Sequence, residues 1–238
     1  MKEDPQQGSA SGPEALALVS NHVMKYIKDG SGVGLGSGRA STAFIRALGE
    51  RAKAGTVKNL RCVPTSESTA RLARELGLPL VELNGTPLDI TVDGADEVDP
   101  NLDCVKGWGG ALVRERIVAA ASTRQILLVG ADKLVPALGT KGKLPVEVNP
   151  FSVGFVSARL AALGLKPEVR KDGNRTFITD NGNVTVDCGT GPIADPRALE
   201  QKIRAIPGVV DTGLFLGTAE TIIVAEGGQI RELTRKAK

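Results

Sequence analysis

The stretch Ile90-Thr91-Val92-Asp93-Gly94-Ala95-Asp96-Glu97-Val98-Asp99 decides how this chain is read. Together with Leu88 and Asp89, its first three residues form a short run with the length of a buried strand, and carboxylates crowd the end of it. Open α/β sheets place ligands beyond the carboxyl ends of their strands. An acidic turn at that point is therefore a candidate site for binding a metal, orienting hydroxyls or serving as acid and base. Taken alone, a solvated acidic turn is the better reading. The Asp-x-x-Asp spacing lacks the terminal Glu of a calcium loop.

Toward the N-terminus, Leu16, Val19, Val23 and Ile27 recur at helical spacing and Gly30 stops the helix. Val33 to Leu35 is a short apolar run among glycines, and Phe44, Ile45, Leu48 and Ala52 mark a second helix. Val57 to Val63 reads as a strand, Ser66 to Leu76 as a helix capped by Ser66 or Thr65, and Leu80 to Leu83 as another strand. Toward the C-terminus, Arg114 to Ala121 is helical and Ile126 to Val129 is a buried strand. This alternation predicts an α/β fold with a Rossmann-like parallel sheet covered on both faces.

The pattern changes after Pro145. Strand patterns at Pro145 to Val148, Glu168 to Arg170, Phe177 to Thr179, Val184 to Val186 and Val209 to Leu214 alternate with helical ones at Val153 to Leu163 and Ala198 to Ile206. Asp180-Asn181-Gly182-Asn183 reads as a hairpin turn. The order predicts a smaller α+β ferredoxin-like domain. Thr221 to Ala225 is a last strand suited to rejoin the first sheet. The expected division is a catalytic domain over 14–145 plus 218–238, a ferredoxin-like domain over 146–217, and a disordered polar tail over 1–13.

Composition narrows the function classes. The 238 residues are 41% hydrophobic and 24% charged, ordinary for a globular protein, with a net charge of +3. That charge is too weak, and its Lys and Arg too scattered, to argue for nucleic acid. No apolar run approaches the roughly 18 residues of a membrane span, and the N-terminal stretch lacks the apolar core of a signal peptide. A cytoplasmic protein is expected. Cys62, Cys104 and Cys188 have no metal-type spacing and read as reduced thiols. The single histidine, His22, falls in a helical pattern and reads as structural, which argues against a His-based triad or a multi-His metal site.

Two further segments carry chemistry. Gly32-Val33-Gly34-Leu35-Gly36-Ser37-Gly38-Arg39-Ala40 is a glycine-rich passage from strand to helix. Such a turn brings backbone N–H groups to an anion at the helix N-terminus; a tight turn with close helix–strand packing explains the glycines too. A dinucleotide fingerprint fits worse than either, because Arg39 stands at its third glycine and the second strand ends at Cys62-Val63-Pro64, where an acidic residue should hold the ribose. Val105-Lys106-Gly107-Trp108-Gly109-Gly110-Ala111-Leu112-Val113-Arg114-Glu115-Arg116 leads a lysine into a glycine loop and then a helix. It is not a P-loop, since no Lys-Ser or Lys-Thr closes it. All three polar segments follow strands of one expected sheet, and that company favours a chemical reading.

Together these segments resemble the type A ribose 5-phosphate isomerase family. Its Asp-Gly-Ala-Asp-Glu signature is similar to Asp93 to Glu97, and its Lys-Gly-Gly-Gly…Arg-Glu segment to Lys106 to Glu115. Further matches are Ala131-Asp132-Lys133, Leu144-Pro145-Val146-Glu147-Val148, Thr179-Asp180-Asn181-Gly182-Asn183 and Ile206-Pro207-Gly208-Val209-Val210. The resemblance spans nearly the whole chain after its N-terminal tail. It implies interconversion of ribose 5-phosphate and ribulose 5-phosphate through an enediol, with no metal or organic cofactor. It also implies a homodimer or homotetramer whose partner is a small sugar phosphate. By the same resemblance Glu115 is the base, Lys106 stabilises the enediolate, and Asp93 and Asp96 bind hydroxyls and assist ring opening. Gly94, Ala95, Gly107, Trp108 and Gly109 then lie against substrate, and Lys133 is a further basic contact. Ser37, Gly38, Arg39 and Ala40 occupy the phosphate loop.

Two departures stand out. The family's first loop reads Gly-Thr-Gly-Ser-Thr, where this chain has Gly36-Ser37-Gly38-Arg39-Ala40, and Trp108 replaces a glycine. Arg39 either gives the phosphate a charge-assisted bond or points away, and Trp108 either walls the site against water or narrows it. An isomerase of another phosphorylated sugar and a non-catalytic sugar-phosphate sensor are the competing readings. A sensor is expected to carry a DNA-binding helix-turn-helix, for which the short polar tail leaves no room.

Overall fold

The computed structural model describes residues 12–235. The expected tail lies outside the described residues up to residue 11; Pro13 already opens helix α1 (Pro13–Val23), where its missing N–H costs nothing. The chain forms two compact units. The first holds the described residues to Ala95, Arg114–Leu134, and Thr218 onward; the second holds Asp96–Val113 and Val135–Gly217. Compared with the division expected from sequence, Asp96–Val113 and the stretch from Val135 to Pro145 belong to the second unit.

In chain order after α1 come β1 (Gly32–Leu35), α2 (Arg39–Lys53), β2 (Arg61–Pro64), α3 (Glu67–Glu75) and β3 (Ile90–Gly94). Next are β4 (Glu97–Val98), β5 (Cys104–Val105), α4 (Leu112–Ala120) and β6 (Gln125–Gly130). Then follow β7 (Lys143–Val148), α5 (Val153–Ala162), β8 (Lys166–Val169), β9 (Lys171–Asp172), β10 (Arg175–Thr176) and β11 (Val184–Gly189). The last are α6 (Pro196–Arg204), β12 (Val209–Thr212), β13 (Leu214–Phe215), β14 (Thr221–Glu226) and β15 (Gln229–Thr234).

The first unit is built on a six-stranded sheet in the order β15-β14-β6-β3-β1-β2. Its strands are parallel except β15, which runs antiparallel to β14. Successive strand residues face opposite ways. Cys62 thus joins the large core with Val33, Leu35, Val92, Phe44 of α2 and Val19 of α1, while Val63 packs with Leu88 and Val118 of α4. Each fully buried aliphatic side chain there contributes about 1.5–3 kcal/mol. Gly34 faces the α4 side, where an added Cβ would come within 2.6 Å of Val118. From β1 the chain moves to β2 on one side and then to β3 on the other. The carboxyl ends of β1 and β3 therefore flank a topological switch point, the place where doubly wound sheets open a crevice.

The return of β14 to this sheet is as expected. β15 is not foreseen in the sequence: Gly227 and Gly228, at φ 57° and 76°, turn the chain back as a primed two-residue hairpin requires. Leu80 to Leu83 does not form the expected strand; it contributes one bridge, from Leu80 to Cys62. The segment expected from Val57 narrows to β2, because Asn59 takes a left-handed φ of 56° that breaks an extended run.

The second unit carries an antiparallel sheet in the order β12-β7-β11-β8, with α5 joining β7 to β8 and α6 joining β11 to β12. This is the ferredoxin-like topology. Leu144, Val146 and Val148 of β7 and Val186 and Cys188 of β11 face the core with Val156, Leu160 and Ile203 of the helices. Glu147 and Asp187 alternate to the other face, yet they too are buried. Phe177 to Thr179 forms no strand, only the bridge Ile178–Val184, but 180–183 is a turn closed by Thr179 N–H to Asn183 O at 2.9 Å. β9 pairs with β10, and the short strands β4, β5 and β13 form a further small sheet. No described helix is long and apolar enough to cross a membrane.

Candidate active site

The glycine-rich passage after β1 is organised by Asp93. This carboxylate, fully buried at the end of β3, uses one oxygen for three donors: Ser37 N–H at 3.0 Å, Gly94 N–H at 2.8 Å and Ser41 Oγ at 3.0 Å. Gly36 must be glycine, because a Cβ there would stand 2.2 Å from Asp93 Oδ1. Gly38 supplies the turn. Its φ of 88° and ψ of −174° lie in a region only glycine occupies readily, and α2 starts immediately after it. The two explanations of the glycines thus divide among them: Gly34 and Gly36 serve close packing, and Gly38 serves the entry to the helix N-terminus.

Beside this loop stands a hydroxyl cluster that sequence reading missed. Ser37 Oγ lies 2.8 Å from Thr65 Oγ1 and donates to Ser66 Oγ at 2.9 Å. Thr69 Oγ1 donates to Gly36 O, and Thr65 Oγ1 to Leu35 O, each at 3.0 Å. Ser66 caps α3 by accepting from Thr69 N–H, as one of the two expected caps. The signal was present as Thr65-Ser66-Glu67-Ser68-Thr69, which is rich in hydroxyls directly after a strand.

The other candidates of the first unit lie on the same strand ends or the following helices. Arg39 is exposed at the first residue of α2, and Ala40 lies 3.7 Å from where a Gly94 Cβ would be. Ala95 is half-buried, and so is Lys133, which ends the single turn after β6. Glu115 is buried in the first turn of α4, next to Arg114, whose guanidinium pairs with Glu67 at 2.9 Å.

The remaining candidates belong to the second unit. Lys106 is buried, with its ammonium 5.4 Å from the centre of the Phe215 ring, a cation–π distance. Asp96 accepts from Trp108 N–H at 2.9 Å. Gly107, at φ 102°, makes the bend between them, and Gly109 is exposed. The indole of Trp108 lies on Gly142, where a Cβ would come within 2.1 Å of the ring, and its N–H donates to Lys143 O at 2.9 Å. It is thus seated on the second unit's own 142–143 segment.

Of the acidic run, Asp93, Glu97 and Asp99 are buried and Asp96 is half-buried. Glu97 accepts from Gly139, Lys141 and Gly142 N–H at 2.6, 2.8 and 3.0 Å, and Asp99 from Asn101 and Asp103 N–H at 2.8 and 2.9 Å. These two carboxylates build turns. Asp93 and Asp96 fall on either side of the boundary between the compact units, Asp93 with the first loop and Asp96 with the second. Among the described residues no group of three His, Cys, Asp or Glu side chains is arranged to hold a metal. Cys62, Cys104 and Cys188 are free and buried, and burial pushes the Cys62 and Cys188 thiols up to about 12.

Fold and loops define an α/β protein of two units, one doubly wound with its first glycine-rich loop at the switch point of its sheet, the other ferredoxin-like. The family model for ribose 5-phosphate isomerase A (phosphoriboisomerase A) matches residues 61–229. The chain is similar to ribose-5-phosphate isomerase A of Roseiflexus sp. strain RS-1, at 45% identity over 90% of this chain and 93% of that one. It is similar to that of Deinococcus radiodurans at 44%, over 88% and 92%. A solved D-ribose-5-phosphate isomerase in complex with phospho-erythronic acid superposes with a TM-score of 0.89 at 36% identity, over 92% of this chain and 97% of that one. The enzyme from Plasmodium falciparum superposes at 0.90 with 33% identity, over 94% and 100%. The chain belongs to the ribose 5-phosphate isomerase A family.

Proposed function

We propose that this protein interconverts D-ribose 5-phosphate and D-ribulose 5-phosphate, an aldose–ketose isomerisation through an enediol. The observation that carries this reading is the identity of 44–46% over most of the chain to relatives bearing that activity in their names. The chemistry of the two loops agrees with it. The reaction moves a proton between C2 and C1, so it needs a base, a positive group for the developing oxyanion and an anchor for the phosphate.

In this reading Glu115 takes the proton from one carbon and returns it to the next. Its position in the first turn of a helix suits a carboxylate, since the positive end of the helix dipole lies there. Lys106 meets the enediolate as a point charge. Asp93 and Asp96 bind sugar hydroxyls and assist ring opening; Asp93 also acts as the post on which the first loop hangs. The phosphate sits at the N-terminus of α2 against Ser37, Gly38, Arg39 and Ala40, and Lys133 is a further basic contact to the substrate. Gly94, Ala95, Gly107, Trp108 and Gly109 complete the lining. No metal or organic cofactor enters this scheme. We place the enzyme in the cytoplasm as a homodimer or homotetramer.

A coupled assay with ribose 5-phosphate, run beside other aldose phosphates, tests the proposal. Turnover of ribose 5-phosphate with the highest kcat/KM is the expected result. A preference for another aldose phosphate, or binding without turnover, would overturn it.

A further inference from the structure

We infer that Arg170 and Asp187 are positioning residues for the Lys106–Gly109 loop: Arg170 grips two loop carbonyls, and Asp187 holds Arg170 in place. The inference rests on the reading above, in which that loop serves the enediolate. All residues involved belong to the second unit.

Arg170 follows β8. One of its terminal nitrogens, Nη1, donates to Gly107 O at 3.1 Å and to Trp108 O at 2.9 Å. Its other two nitrogens form a fork on Asp187, Nε to Oδ2 at 2.9 Å and Nη2 to Oδ1 at 2.6 Å. Only a guanidinium can serve a carboxylate and two carbonyls at once in a fixed plane. The Asp187 side chain is 1% exposed and that of Arg170 13%. Burial alone would raise the Asp187 carboxyl, but its bonds to Arg170, and then to Lys143, hold it below the ordinary carboxylate range. The pair is therefore charged at neutral pH. Lys143 closes a circuit: its ammonium lies 3.1 Å from Asp187, and its carbonyl accepts the Trp108 indole N–H.

The consequence lies in the peptide planes. In a trans peptide the N–H points opposite to the C=O. Drawing the carbonyls of Gly107 and Trp108 toward Arg170 therefore turns the N–H groups of Trp108 and Gly109 the other way. The first is found on the candidate hydroxyl-binding carboxylate Asp96. The second is carried by an exposed glycine, where an added Cβ would meet open space. Phe177 braces the arrangement, since its ring lies 5.7 Å from the Arg170 guanidinium and fills the space a Gly110 Cβ would need. Arg170 thus fixes which backbone donors face the substrate and how the Asp96 carboxylate is held.

The test uses the full-length protein and the variants Arg170→Gln and Arg170→Lys, with Asp187→Asn as a milder break of the same pair. Trp108 is the only tryptophan, so iodide quenching of its fluorescence reports the loop without reference to activity. Thermal melting establishes that each variant is folded. In Arg170→Gln, kcat is expected to fall on the order of 10²-fold, with a smaller change in KM and with altered quenching. Arg170→Lys is expected to recover little, because an ammonium lacks the fork. Arg124→Lys is the control, breaking the bidentate pair with Glu220 just before β6, and is expected to keep both kcat and quenching. Unchanged quenching with kcat within about twofold in a folded Arg170 variant would overturn the positioning role. Altered quenching with intact kcat would instead remove the loop from the reaction, overturning the role assigned to Lys106 and the positioning role with it.

Discussion

The two glycine-rich loops solve the same problem by different means. The loop after β1 is shaped by its immediate neighbours in the sheet. Its amide is held by Asp93, at the end of the adjacent strand β3, and its hydroxyl by Thr65 and Ser66 at the end of β2. The loop after β5 is shaped by residues far along the chain: Arg170 on its carbonyls, Phe177 against Gly110, and Gly142 and Lys143 under the indole. Parallel strands bring one kind of support automatically, since neighbouring strand ends lie side by side. The other kind depends on a separate sheet being folded and in place.

The largest break in this comparison is expected from the proton-transfer centre, which neither loop contains. Glu115→Gln should lower kcat by about 10²–10⁴-fold while ribose 5-phosphate still binds. Activity near that of the parent would remove Glu115 as the base. Next come the glycines of the first loop. Gly36→Ala drives a methyl group into Asp93 and should destabilise the protein by about 1–3 kcal/mol. Gly38→Ala has open space but the wrong φ, and should cost a comparable ~1–3 kcal/mol. Urea midpoints compare the two; a neutral Gly36→Ala would mean that Asp93 does not fix the loop.

Smaller effects follow at the surface. Arg39→Ala should raise KM by about 10-fold with kcat unchanged, as loss of a charged contact to the phosphate would. An unchanged KM would show that Arg39 points away from it. Trp108→Gly gives up the bond to Lys143 O; it should loosen the second loop and leave KM for ribose 5-phosphate within about threefold. A KM that drops well below this range would show that the indole narrows the site. The least effect is expected from a chelator, which should leave the rate untouched; inhibition would overturn the metal-free scheme.

Much of the first loop was legible in the sequence because its support is local. Val92 and Asp93 close a readable strand, and Ser66 is a readable cap. The ferredoxin-like order was legible from alternating periods, and the return of β14 from a clean apolar run. Much of what escaped depends on distant partners. Arg170 and Asp187 look like ordinary strand-end charges until the fold buries them together. β4, β5 and β13 are two residues each, too short to show a period. Leu80 to Leu83 is apolar enough for a strand but finds one bridge only. Glu97 and Asp99 shared a motif with Asp93 and Asp96, and nothing in their spacing separated turn-building carboxylates from the rest.

The late return of β14 bears on how the molecule comes into being. Its hydrogen bonds to β6 join residues that flank the whole of the second sheet in the chain. During synthesis every strand of the second unit leaves the ribosome before Thr221 does, so that unit can complete itself while the first sheet still ends at β6. Until the final hairpin arrives, β6 presents a bare apolar edge, the kind of surface that chaperones and neighbouring chains capture. A released chain ending at Gly217 would therefore consist of one finished unit attached to one unfinished sheet.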